Sequence, residues 1–107
     1  MFAVLYQAYL LPHKEAEFQK AWNAVAKYFV SKRGAIGSSL HRTADGLWVA
    51  YSRWPDKKTR DASWPKDAAP SHELPPEIRN AVVAIKGCID PSRNIPELCM
   101  EVVDDQL

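Results

Sequence analysis

The first ten residues constrain the fold more than any other stretch. Phe2–Leu10 alternates with a period of two and is apolar on both faces. Phe2, Val4, Tyr6, Ala8 and Leu10 share one face, and Ala3, Leu5, Gln7 and Tyr9 share the other. A strand of that kind is covered on both sides. The rest of the chain must supply one cover, and the second has to be found as well.

The first cover follows at once. Pro12 ends the strand and opens a helix, with Glu15 and Glu17 favourable near its positive end. From Lys14 to about Ser31, Phe18, Ala21, Trp22, Val25, Ala26 and Phe29 recur at helical spacing, and Gly34 is a natural stop. Ile36–Thr43 and Leu47–Trp54 read as two strands joined at Ala44-Asp45-Gly46, where an Asp-Gly pair supplies the positive φ of a tight turn. Asp56 caps a short helix from Lys57 to about Ser63, and Pro65–Leu74 reads as a polar loop. Pro75-Pro76-Glu77 starts another helix that ends near Gly87, and Ile95–Val103 is the last strand.

The order is β-α-β-β-α-α-β, with the two later helices acting as one crossover. It predicts an α+β, ferredoxin-like split β-α-β sandwich: a four-stranded antiparallel sheet with helices on one face. Residues 1–107 form one domain, and no element remains to cover the second face. A second copy packed sheet to sheet is the simplest cover, because C2 symmetry supplies an identical apolar face. Four Trp, four Tyr and three Phe exceed what one small core hides, so rings outside the helix–sheet core are expected at a dimer face or a pocket.

Several classes drop out. Fourteen basic against 13 acidic residues give a net charge of +1, which argues against a nucleic-acid binder. The β-α-β-β-α-β order is shared with RNA-recognition modules, but Gly46-Leu47-Trp48-Val49-Ala50-Tyr51 matches their third-strand signature poorly. No apolar run reaches the ~20 residues of a membrane span, and nothing at the start reads as a signal peptide. Cys88 and Cys99 read as free thiols, so a cytoplasmic protein is expected. His13, His41 and His72 lack metal-ligand spacing, and no Gly-rich phosphate loop or nucleophile motif is present, so neither a metal nor a cofactor is expected.

The opening strand, the helix carrying Phe18 and Trp22, the stretch Gly34-x-x-Gly37-Ser38-x-Leu40, Trp54-Pro55-Asp56 and the closing Glu101-Val102-Val103-Asp104-Asp105 together resemble the antibiotic-biosynthesis monooxygenase domain. The resemblance spans nearly the whole chain and implies a dimeric α+β barrel, in which two ferredoxin-like subunits pack their sheets together. It implies either cofactor-independent oxygenation of aromatic polyketides and quinol-like compounds, or oxidative degradation of haem. The haem-degrading branch uses an Asn on the first strand, a Trp after the third and a His further on. Trp64 has the spacing of that Trp, but Tyr6 or Gln7 stands in place of the Asn. Leu74 stands where the His belongs, and His72 is the nearest histidine. These departures set haem chemistry aside.

The expected function is therefore a cofactor-independent monooxygenase acting on a small aromatic or quinol-type substrate. The alternative is a non-catalytic dimeric ligand-binding domain of the same fold. Oxygenation needs a base, donors for an oxyanion and an apolar box. His41 is a candidate base because an imidazole titrates near ~6.5, and His72 is a second. Tyr6 and Trp64 complete the catalytic candidates, and Gln7, Tyr51 and Trp54 are candidates for substrate binding. The basic cluster Arg42, Arg53, Lys57, Lys58 and Arg60 is expected to be a solvated face.

Overall fold

A computed structural model describes residues 1–63 and 74–106. Seven elements follow in order: β1 (Phe2–Tyr9), α1 (Glu15–Lys32), β2 (Gly37–Arg42), β3 (Leu47–Trp54), α2 (Lys57–Ser63), α3 (Pro76–Cys88) and β4 (Leu98–Glu101). The four strands form one sheet in the order β2-β3-β1-β4, and every pairing is antiparallel. This is the ferredoxin-like order expected from the sequence, with β1 at the centre.

Register decides which side chains face the helices. Phe2 opposes Trp54, Val4 opposes Ser52, Tyr6 opposes Ala50 and Ala8 opposes Trp48. All of these lie on the helix side, because Phe2, Val4 and Trp54 are buried against Val25 and Phe29 of α1 and Ile78 and Val82 of α3. A second, smaller cluster joins Phe18, Trp48 and Cys88. Edge-to-face pairs lock each cluster: Phe29 with Trp54 at 6.0 Å, and Phe18 with Trp48 at 5.5 Å. Leu5, Gln7, Tyr9, Val49 and Tyr51 alternate to the opposite face, away from the helices described.

Three expectations are corrected in detail. The β2–β3 connection is the expected Ala44-Asp45-Gly46, but its backbone differs from an Asp-Gly pair with two positive φ angles. Thr43 and Leu47 pair across it, Gly46 alone takes a positive φ of 90°, and Asp45 instead hydrogen-bonds to the Thr43 hydroxyl. The last strand shrinks from Ile95–Val103 to Leu98–Glu101, since Pro96 has no N–H to give and β4 pairs only with Phe2–Leu5 of β1. The helix after Pro12 begins three residues later, at Glu15, after His13 turns the chain through a φ of 64°.

Candidate functional site

The two core clusters do not meet completely. Between them, bounded by α1, the sheet and the end of α3, lies a cavity of about 240 Å³. Its walls are aromatic and aliphatic, with Phe18, Trp22 and Phe29 on α1, Trp48 and Trp54 on β3, and Ile85 and Ile89 at the end of α3. Trp22 was expected in the core, but it is half-buried and borders the cavity.

One wall is polar, and α2 makes it so. Trp54 closes β3, Pro55 breaks the strand, and the Asp56 carboxylate caps α2 by accepting the Thr59 N–H at 2.7 Å. The far side of α2 lies close to the start of β2. The Thr59 methyl comes within 3.4 Å of where a Cβ on Gly34 would stand, and Gly34 has a φ of 83°. The Ser63 hydroxyl donates to the Arg33 carbonyl at 3.3 Å. So anchored, α2 turns Arg60 inward, and this arginine is only 8% exposed. The expectation of a solvated basic face therefore fails at Arg60. It also fails at Arg53, which is largely covered and donates to Asp105 at 2.5 Å.

The Arg60 guanidinium is held chiefly through Nη2. Its Nη2 donates to the Tyr6 hydroxyl at 2.7 Å and to both Glu97 carboxylate oxygens, at 2.8 and 2.7 Å. Burial pushes the Tyr6 phenol up to about 12, against the opposing pull of Arg60, so it stays protonated at neutral pH. Burial works against the charge on Arg60, but the hydrogen bonds and charges of Tyr6 and Glu97 outweigh it and hold the guanidinium above its ordinary range. An apolar box thus carries a permanent buried cation and a neutral phenol in one wall. Such groups bind and stabilise an oxyanion.

The sequence candidates fall into three groups. Tyr6 and Trp54 both border the cavity and face the helices. His41 is exposed on the opposite, open face, where its Nε2 lies 2.8 Å from the Ser39 hydroxyl. Gln7 and Tyr51 belong to strand stretches that border the cavity, but their side chains alternate to the open face with His41. Trp64 and His72 lie outside the described residues. Leu74, at the position of the haem branch's His, is 2% exposed in the apolar core. Arg60 and Glu97 were missed as site residues. No local sequence pattern marks either residue, because the contacts that join them to each other and to Tyr6 span 37 and 54 positions of the chain.

Among the described residues, no group of three His, Cys, Asp or Glu side chains is placed to hold a metal ion, and both cysteines are free. No described helix is long and apolar enough to cross a membrane.

The chain matches no protein-family model and no curated protein. Solved structures do match over nearly its whole length. Rv0793 from Mycobacterium tuberculosis superposes with a TM-score of 0.71 at 16% identity, covering 99% of this chain and 98% of that one. An antibiotic biosynthesis monooxygenase gives 0.70 at 15% identity, covering 97% and 100%. SnoaB, a cofactor-independent oxygenase from Streptomyces nogalater, gives 0.70 at 14% identity, covering 98% and 95%. The chain has the antibiotic biosynthesis monooxygenase fold. In this monooxygenase fold the aromatic cavity lies between sheet and helices, and the apolar open face lies on the other side of the sheet. At such identities the likeness carries architecture, while chemistry has to be argued from the residues.

Proposed function

We propose that the protein is a cofactor-independent oxygenase for a small phenol or quinol. The observation that carries this reading is the buried Arg60–Tyr6 pair in the wall of an otherwise aromatic cavity. An apolar cavity of about 150 Å³ accepts benzene. A cavity of about 240 Å³ therefore suits one ring or two fused rings. The substrate hydroxyl takes the polar wall. The substrate proton passes to solvent water, and the phenolate left behind is stabilised by the charge of Arg60 and lies beside Tyr6, whose high pKa keeps its own hydrogen in place.

The electron-rich ring then reacts with dioxygen directly. For a hydroquinone, a C–O bond forms at a ring carbon, the O–O bond breaks, and the second oxygen atom leaves as water. The product is a hydroxyquinone. The substrate supplies all four electrons, so no further reductant enters the balance. Excluding water by Phe18, Trp22, Phe29, Trp48 and Trp54 strengthens every electrostatic contact inside the box.

The functional unit we propose is a homodimer joined through the open sheet face. Leu5, Val49, Tyr51 and Leu98 stand there on the side away from the described helices, and Leu98 is 49% exposed. The second reading is ligand binding without turnover. It draws on the position of His41, the sequence's candidate base, on the wrong side of the sheet. Oxygen uptake by the purified protein with a panel of hydroquinones decides between them. Uptake well above the buffer rate, lost in Arg60→Met, supports the oxygenase; tight binding at the buffer rate supports the second reading.

A further inference from the structure

A bound phenol has to lose a proton, and the cavity wall holds no base to take it. Among the described residues that border the cavity, none is a carboxylate or an imidazole. A carboxylate stands one hydrogen bond behind the wall. Glu97 lies just before Leu98, the last residue of β4 paired with β1, and there it meets both Arg60 and the Tyr6 phenol.

The chemistry of the three groups fixes the direction of each hydrogen bond. A guanidinium only donates, and a carboxylate only accepts. The Tyr6 oxygen therefore accepts from Arg60 Nη2 at 2.7 Å, and the one phenol hydrogen goes to Glu97, with which Tyr6 is also hydrogen-bonded. Glu97, with room for about four hydrogen bonds, takes it beside those from Arg60. A phenol oxygen has two lone pairs. Arg60 occupies one, and the other suits the hydroxyl hydrogen of a ring in the cavity that Tyr6 borders.

We infer that Glu97 is the proton acceptor of this site and works through Tyr6, which relays the substrate proton to it. The substrate O–H bond breaks as a new O–H bond forms on Tyr6. The former Tyr6 hydrogen passes to Glu97 in the same motion, so the phenol is neutral before and after. Water then takes the proton from Glu97, whose side chain is 35% exposed where that of Arg60 is 10% exposed. Carboxylates serve as general bases in other enzymes even where the proton comes from a weaker acid. The inference rests on the reading of the cavity as a phenol site and gives the proton its route to solvent.

A relay and a simple counter-charge have opposite signs. As the counter-charge of Arg60, Glu97 disfavours the bound phenolate, so removing its charge shifts the equilibrium toward phenolate. As acceptor it speeds ionisation, so removing it slows the approach to that equilibrium. The test is anaerobic, with 4-nitrophenol bound to an excess of the full chain, a rapid upward pH jump, and the phenolate colour followed in time. Glu97→Gln and Tyr6→Phe are each expected to slow the relaxation about a hundred-fold. The double variant is expected to be no slower than either, because the two residues act as a unit. Glu97→Asp keeps a carboxylate and is expected to retain most of the rate. Equilibrium colour in the same samples, shifted toward phenolate in Glu97→Gln, shows that the variant site is intact.

Relaxation as fast as wild type in Glu97→Gln, or in Tyr6→Phe, overturns the relay. Oxygen uptake with a hydroquinone reports separately. Uptake beside an unchanged relaxation leaves the oxygenase without the relay, and a working relay in a chain that consumes no oxygen leaves the relay without the oxygenase. A probe that wild type does not bind removes both.

Discussion

Replacing Arg60 with methionine tests the site most sharply, because methionine keeps an unbranched apolar stem and removes the charge. A cation about 4 Å from a bound phenolate stabilises it by about 4 kcal/mol at an effective dielectric of about 20, or roughly three pK units. Glu97 offsets most of this, since both its carboxylate oxygens lie within 2.8 Å of the same guanidinium nitrogen. The net expectation is a downward shift of about one unit for the bound phenol.

The assay is a pH titration of bound 4-nitrophenol, whose phenolate absorbs in the visible. In wild type the bound probe ionises about one unit below the free probe; in Arg60→Met it ionises at or above the free value. Glu97→Gln moves it the other way, by up to about two further units downward, because the guanidinium loses its counter-charge. Arg60→Met is also expected to cost about 1–2 kcal/mol in urea unfolding, a modest loss because Glu97 is partly exposed and regains water. A bound probe that titrates alike in wild type and Arg60→Met refutes the oxyanion role, whatever happens to stability.

Other perturbations follow from the same structure. Burial raises the Tyr6 pKa to about 12 against an ordinary 10.0, so the folded protein holds a proton that the unfolded chain releases. That contribution is complete below pH 10 and is lost as pH rises toward 12, a fall of roughly 2–3 kcal/mol, and Tyr6→Phe should abolish this part of the alkaline slope in chemical unfolding. Val49→Lys places a charge in the middle of the open face and should convert a dimer to a monomer in sedimentation velocity; a monomeric wild type would sink the dimer proposal. His13→Gly should relieve the strain of a φ of 64° by about 1 kcal/mol and raise the melting temperature by about 4 °C, whereas His13→Val should lower it.

Much of the architecture was legible because it rests on local signals. The bounds of β3 and α2 follow from an alternating run, a proline and an Asp cap, and these act within a few residues. The doubly apolar β1 takes an inner place in the sheet, and its pattern leaves one face needing a cover. Reading β4 was harder. Its pairing with β1 covers only four residues, and the apolar residues flanking it lie outside the ladder.

The candidate site was less legible, since it depends on contacts distant in sequence. Arg60 looked like one more basic residue in a surface cluster. Its burial depends on Tyr6, 54 residues earlier, and Glu97, 37 residues later, and no periodicity links the three. For His41 the reverse holds. Strand parity alone puts it with Gln7 and Val49 on the open face, but which face holds the cavity is set by the helices.

The central claim is that dioxygen reacts with a ring held in this cavity. Turnover of a hydroquinone under ¹⁸O-labelled dioxygen, followed by mass spectrometry of the quickly quenched product, tests it most directly. The account predicts a hydroxyquinone carrying one labelled oxygen, the second labelled atom appearing in water, and loss of both in Arg60→Met. An unlabelled hydroxyquinone, or unchanged hydroquinone beside a tightly bound complex, would contradict it.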